Sequence, residues 1–351
     1  HLMQLLHSYI FYIYKYSYYN TANVDGDNYV HDARYAGGSD YQISAYDASK
    51  VGWGNTAADA WYYTIVNDWF SGEFIWTGFD YIGEPTPYST KNSYFGQYDT
   101  AGFAKDSAYV FRAEWTDHKQ SPFVHIFPYW DFSEGEDIDV RVTTNAPHVK
   151  LFFNGNEIGS KNIDHNHGKE LTLDTILKYE KGELLAIAYD ETGNEIARDA
   201  KRSFGDTAEI RLTPDKTELS ADGTDLIFVD ISAYDKDGEF VANANDRVFV
   251  EVNGAGRLIG LDNGDSTDFE QYKGTSRRLF SGKLLAVVAA KLDAGDITLR
   301  AATSRGLEST VNLKAVAAEN ISGVSAVEEN APREYDCTAW EKDIPVRKIA
   351  L

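Results

Sequence analysis

Cysteine is almost absent: Cys337 is the only one in 351 residues. A lone thiol excludes an internal disulfide and a cysteine-built zinc site, and it leaves the redox compartment open, because exported bacterial enzymes often lack disulfides. Basic residues are scarce beside acidic ones, 33 Lys and Arg against 55 Asp and Glu, for a formal net charge of -22. Such a chain repels polyphosphates, and no Lys/Arg cluster with interleaved aromatics offsets that repulsion, so nucleic acid is not expected as a partner. A neutral partner such as a sugar fits better. Missing too is any run of about 18 uncharged apolar residues, the length a membrane span needs, so no membrane partner is expected. The opening HLMQLLHSYIFYIYKYSYYN is apolar, but Lys15 and its many tyrosines stand where a signal peptide has a basic start and an aliphatic run. No signal peptide is read there.

What is present suffices for several cores: 43% of residues are hydrophobic and 14% aromatic, in a chain long enough for two or three domains. In NTAADAWYYTIVND, from Asn55 to Asp68, apolar residues recur at helical spacing after a candidate Asn55 or Thr56 cap, and Gly72 follows as a stop. GEFIWTGFDYIGEPTPY then opens as a short apolar strand, about residues 73–79, and turns into a Gly/Pro-rich loop. AKDSAYVFRAEWTD, about 104–117, predicts a second helix with Asp106 or Ser107 as its cap. Helix, strand, loop, helix is the cadence of an α/β barrel.

Beyond Pro122 the pattern changes to short alternating strands with turn signals. FVHIFPYW, DIDVRVTTN, KLFFNGNEIGS, LTLDTIL and ELLAIAYDETGNEIARD build one β-sandwich, with hairpin chemistry at Asn154-Gly155 and at Thr192-Gly193-Asn194. A second run begins near Ala208 and repeats strands about every ten residues between Gly, Asp and Asn turns, the spacing of an immunoglobulin-like sandwich. The expected organisation is therefore multi-domain: residues 1–120 as the C-terminal part of a barrel, 121–206 and 207–318 as two all-β immunoglobulin-like sandwiches, and 319–351 as a tail. The close of that tail, VRKIAL, echoes the AEIRL that opens the second sandwich, which suggests the start of a further module. A strand packing back on the existing sandwiches is the alternative.

The strings SDYQISAYDASKVGWGNTAADAW, GEFIWTGFDYIGEPTPY and FRAEWTD closely resemble glycoside hydrolase family 2 β-galactosidases of the kind common in gut Bacteroidetes. HIFPYWDF, VKLFFNGNEIGS and GRLIGLDNGD look like the two sandwich modules that follow the barrel in that group, so the resemblance runs from about Ser39 to Ala318. It implies a (β/α)8 barrel whose eighth strand is FIWTGF, and a retaining exo-glycosidase hydrolysing terminal β-galactosides, with no cofactor and no metal. A tryptophan on the eighth strand floors the sugar subsite in the family, and the matching position is Trp76. An indole face suits the C–H face of a pyranose, and barrel enzymes build their sites at the C-terminal ends of strands. The plainer reading is a buried barrel tryptophan; the motif match favours the sugar. Asp80 and Glu84, just beyond, either bond sugar hydroxyls or hold the loop.

The family uses two glutamates, an acid/base on the fourth strand and a nucleophile on the seventh. Neither has a counterpart here, since the first glutamate of the chain is Glu73, already entering the eighth strand. No catalytic residue is therefore assigned. The trio Glu73, Asp80 and Glu84 lies on one strand and loop and is not expected to replace a retaining pair, so this chain alone is expected to be inactive. The start at His1 instead of methionine suggests truncation. The rival function is a non-catalytic carbohydrate-binding or scaffold protein built on the sandwiches; periplasmic or extracellular placement suits either. Family sandwich modules serve quaternary packing or polysaccharide holding, and the sequence does not choose between a homo-oligomer and a monomer. Trp130 is expected in a core, His165 and His167 at a polar hairpin tip, and Asp235–Gly238 and Asp262–Asp265 in turns and not calcium loops, for want of a closing glutamate.

Overall fold

A computed structural model of the chain describes residues 19–21, 42–44, 55–83 and 91–319, apart from 94, 169 and 267. The tail expected as a further module, from residue 320 on, lies outside the described residues, as does Glu84.

Two short strands, β1 (Tyr19–Thr21) and β2 (Gln42–Ser44), pair antiparallel. Helix α1 (Ala57–Ile65) starts at Thr56, whose hydroxyl oxygen accepts from the Asp59 amide, so the expected N-terminal signal is the one used. Helix α2 (Asp106–Trp115) differs from expectation at its start: the cap residue is Lys105, without a side-chain cap bond, and Asp106 is already helical. The reason is tertiary, because the Lys105 side chain is drawn into an ion pair described below. Residues 73–79, expected as a strand, form only isolated bridges, Phe79 with Tyr98 being the parallel one. A strand takes its ladder from neighbours, and among the described residues no strand lies alongside this segment.

The rest is β-sheet. Strands β3 (Val124–Phe127), β4 (Asp137–Thr144) and β7 (Thr172–Lys178) make one sheet, while β6 (Asn156–Asn162), β5 (His148–Phe153), β8 (Glu183–Tyr189) and β9 (Glu195–Arg202) make another. Strict alternation explains the pairing: in ELLAIAY of β8, Leu184, Ala186 and Ala188 are buried and meet Val140, Val142 and Leu151 in one core. Trp130 is fully buried there, its Nε1 donating to the Glu180 carbonyl at 3.0 Å. The β5–β6 turn places Asn154 at φ 47 and Gly155 at φ 83, the left-handed pair that a two-residue hairpin demands.

The second β unit has a four-stranded sheet, β10 (Thr207–Pro214), β12 (Leu226–Asp235), β16 (Lys283–Ala290) and β14 (Gly256–Asp262), in that order. Its companion sheet runs β11 (Glu218–Ser220), β18 (Glu308–Val316), β17 (Gly295–Thr303), β13 (Arg247–Gly254) and β15 (Ser276–Arg278), with β11 and β18 parallel. Ile227, Val229 and Ile231 from one sheet share a core with Val248, Leu299 and Leu313 from the other. The described chain is thus mostly β, and its helices pack on the first β unit through Val110, Phe111 and Phe127. No helix among the described residues is long and apolar enough to cross a membrane.

Candidate functional site

The segment around Trp76 is held by its neighbour 93–98 in the absence of a ladder. Gln97 N donates to Thr77 O at 3.1 Å, Tyr98 N to Gly78 O at 2.9 Å, Asp80 N to Tyr98 O at 2.9 Å and Ser93 N to Tyr81 O at 3.0 Å. Trp76 is 53% exposed. Its indole Nε1 donates to Tyr81 Oη at 3.1 Å and the two rings meet edge-on, so Tyr81 fixes the indole plane while leaving surface open. Phe74, Phe79 and Ile82 are also exposed, at 96%, 58% and 64%.

Asp80, four residues on, is enclosed. Both carboxylate oxygens lie 2.7 Å from Lys105 Nζ, and Oδ1 also accepts from the Gly96 amide at 2.8 Å. The side chains of Lys105 and Asp80 are 0% and 2% exposed. Burial pushes the Asp80 carboxyl up to about 6 against the pull of Lys105, and burial likewise lowers the lysine from its ordinary value. Of the two roles open to Asp80 from sequence, contact with a sugar or support of the loop, the geometry is that of support.

Asp99 extends this buried cluster. Its Oδ1 accepts from the amides of Ala101 and Phe103 at 2.9 and 3.0 Å, while burial raises its carboxyl to about 8. Gly264 of the second β unit presses on it: a Cβ at Gly264, where φ is +75, would fall 2.1 Å from Asp99 Oδ2. Lys91 N donates to Ser266 O at 2.9 Å beside this contact. The loop that carries Trp76 is therefore clamped from below by an ion pair and from the side by the loop following β14.

Among the other residues weighed from sequence, Glu73 is partly buried and its carboxyl is raised to about 7 by burial. Thr64 is the side chain that faces it and opposes that rise. His165 is in the β6–β7 connection, which joins strands of different sheets and is not the hairpin tip expected; its ring contacts Glu114 Oε1 at 2.9 Å and the Ala146 carbonyl at 3.1 Å, tying the first β unit to α2. Asp235 accepts from the amides of Asp237 and Glu239, a turn, and Asp262 accepts from Gly264 N. Among the described residues no group of three or more His, Cys, Asp or Glu is placed to hold a metal. Sequence reasoning missed Lys105 and Asp99: Lys105 is 25 residues from its partner Asp80, and Asp99 is far along the chain from the Gly264 that presses on it, so no local spacing announces either.

Residues 210–312 match the family model "Glycoside hydrolase family 2 C-terminal domain 5", and residues 135–197 match a domain of unknown function, DUF4982. The chain is 40% identical over 276 residues to "Beta-galactosidase BoGH2A" of Bacteroides ovatus, an alignment covering 78% of this chain and 32% of that protein. It is 30% identical over 234 residues to a "Putative beta-glucuronidase" of Formosa agariphila, covering 63% of this chain and 22% of the relative. Among solved structures, a beta-glycosidase from Bacteroides vulgatus superposes with a TM-score of 0.68 at 29% identity, covering 74% of this chain and 33% of that one. A glycosyl hydrolase family 2 member from Bacteroides cellulosilyticus gives 0.66 at 26% identity, covering 74% and 38%. The matches span between 22% and 38% of the length of these relatives. By sequence and by fold, this chain belongs to glycoside hydrolase family 2, matching that family's C-terminal domain 5 and similar to members from Bacteroides that include a β-galactosidase.

Proposed function

We propose that this chain forms the C-terminal part of a retaining glycosidase acting on terminal β-galactosides. In this reading residues 1–120 complete a (β/α)8 barrel, and residues 121–206 and 207–318 are two immunoglobulin-like modules. The observation that carries it is the exposed, Tyr81-braced indole of Trp76 within a segment resembling the family's eighth strand. Trp76 offers its face to the C–H face of the galactose ring. Asp80 and Lys105 act beneath it as positioning groups, and Glu84 is the loop residue proposed to bond a hydroxyl. The galactoside reading is preferred over the glucuronide one because the β-galactosidase relative is 40% identical and the β-glucuronidase relative 30%.

The two glutamates of the retaining mechanism are not assigned to any residue here, because no glutamate precedes Glu73. Hydrolysis accordingly requires barrel strands beyond this sequence, and Trp76 contributes binding and orientation, not proton transfer. In a protein that joins this chain to a complete family barrel, Trp76→Ala should lower kcat/KM for an aryl β-galactoside at least tenfold, while Trp76→Phe recovers part of the loss. Unchanged kcat/KM in Trp76→Ala would remove Trp76 from the subsite.

A further inference from the structure

Between the loop 100–103 and the outer face of the β10-β12-β16-β14 sheet lies an open cavity of about 710 Å³, the size range of small-molecule sites. The register defines its floor. Phe228 of β12 lies opposite Val287 of β16, which lies opposite Gly260 of β14, while Asp230, Leu285 and Asp262 form the adjoining row. Phe228 is 41% exposed and Phe79, on the facing wall, 58%. A solvent-facing sheet surface is ordinarily polar, so an apolar row flanked by carboxylates is an amphipathic platform and not spare core.

The geometry points to a neutral saccharide as the ligand of this cavity, at a site separate from Trp76. A pyranose has an apolar C–H face and a rim of hydroxyl donors. Phe228 and Phe79 supply aromatic faces for the former, and Oδ2 of the lining carboxylates Asp215 and Asp262, whose Oδ1 atoms accept from the amides of Lys216 and Phe228 and of Gly264, supplies acceptors for the latter. Asp230 is already engaged by Lys283 Nζ at 2.8 Å. The lining has Asp215, Asp230 and Asp262 and no lysine or arginine, and Lys283 beside it is paired with Asp230, so a uronic acid is disfavoured. The inference stands on the cavity's chemistry and does not depend on the chain belonging to an active hydrolase.

The test is calorimetric or ligand-observed NMR titration of the full 351-residue chain with lactose and, separately, with glucuronate. Saturable lactose binding is expected, weakened at least tenfold by Phe228→Ala and also by Phe79→Ala on the opposite wall. Glucuronate should bind at least tenfold more weakly. Both phenylalanines are solvent-facing, and circular dichroism of each variant verifies that the fold is kept. Absence of saturable lactose binding, binding that survives both phenylalanine substitutions, or glucuronate binding equal to lactose would each overturn the inference.

Discussion

Replacing Lys105 with methionine isolates what holds the Trp76 loop. The side chains of Lys105 and Asp80 are sealed from solvent and the ammonium is 2.7 Å from both carboxylate oxygens, so the substitution leaves Asp80 with the Gly96 amide as its remaining donor. Removing one partner of a buried pair costs about 3–5 kcal/mol, chiefly through the stranded charge. That cost depends on pH in a defined sense. Asp80 titrates near 6 in the fold with Lys105 beside it, and loss of the lysine raises it further, so at pH 5 the variant's carboxyl is protonated and the loss is that of hydrogen bonds, about 1–2 kcal/mol, whereas at pH 8 the fold must in addition bury or protonate that carboxyl. Hydrogen exchange at the amides of Gly96, Gln97 and Tyr98 reads the local opening directly. At pH 8 a loss of 3 kcal/mol corresponds to more than about a hundredfold faster opening. Adding Asp80→Asn should restore most of the protection, since no charge is then stranded. Equal losses at pH 5 and pH 8, or no recovery in the double variant, would refute the account of a structural ion pair.

The same cluster sets a wider pH dependence. Asp99 is raised to about 8 by burial, so its proton stabilises the fold fully below pH 3.8 and that contribution disappears as pH rises through about 8; Asp99→Asn should flatten the fall in urea stability between pH 4 and pH 8, measured by tryptophan fluorescence. Gly264→Ala should loosen the clamp by about 2 kcal/mol or more, because it combines strain at φ +75 with a Cβ placed 2.1 Å from Asp99 Oδ2; faster exchange at the Lys91 amide is the readout. Trp130→Ala should cost about 3–5 kcal/mol and abolish near-ultraviolet dichroism from the first β unit, since the indole is fully buried and bonded to Glu180.

Much of the β architecture is legible because its signals are local. The period-two run in β8 and the Asn154-Gly155 turn each determine structure within a few residues, and the same locality places Trp130 in a core and Thr56 at a helix start. Where distant residues decide, the sequence is silent. FIWTGF has the composition of a strand, yet among the described residues it forms only bridges, because a ladder needs a neighbour. Asp80 reads as a site residue from its motif, but Lys105, 25 residues away, claims both its oxygens. The displaced cap of α2 has the same cause. The Asp99–Gly264 contact joins segments 165 positions apart and left no mark in either.

The central claim is that this chain supplies the sugar-facing Trp76 loop to a glycosidase whose acid/base and nucleophile come from other strands. Aryl β-galactoside turnover tests it most directly, measured for the 351-residue chain alone and for the same chain joined in frame to a complete family 2 barrel. The account predicts no turnover by the chain alone and turnover by the joined protein, with aryl β-glucuronide a poorer substrate. Hydrolysis by the 351-residue chain itself would contradict it, because the proposal assigns neither catalytic glutamate to this sequence, whose first glutamate is Glu73.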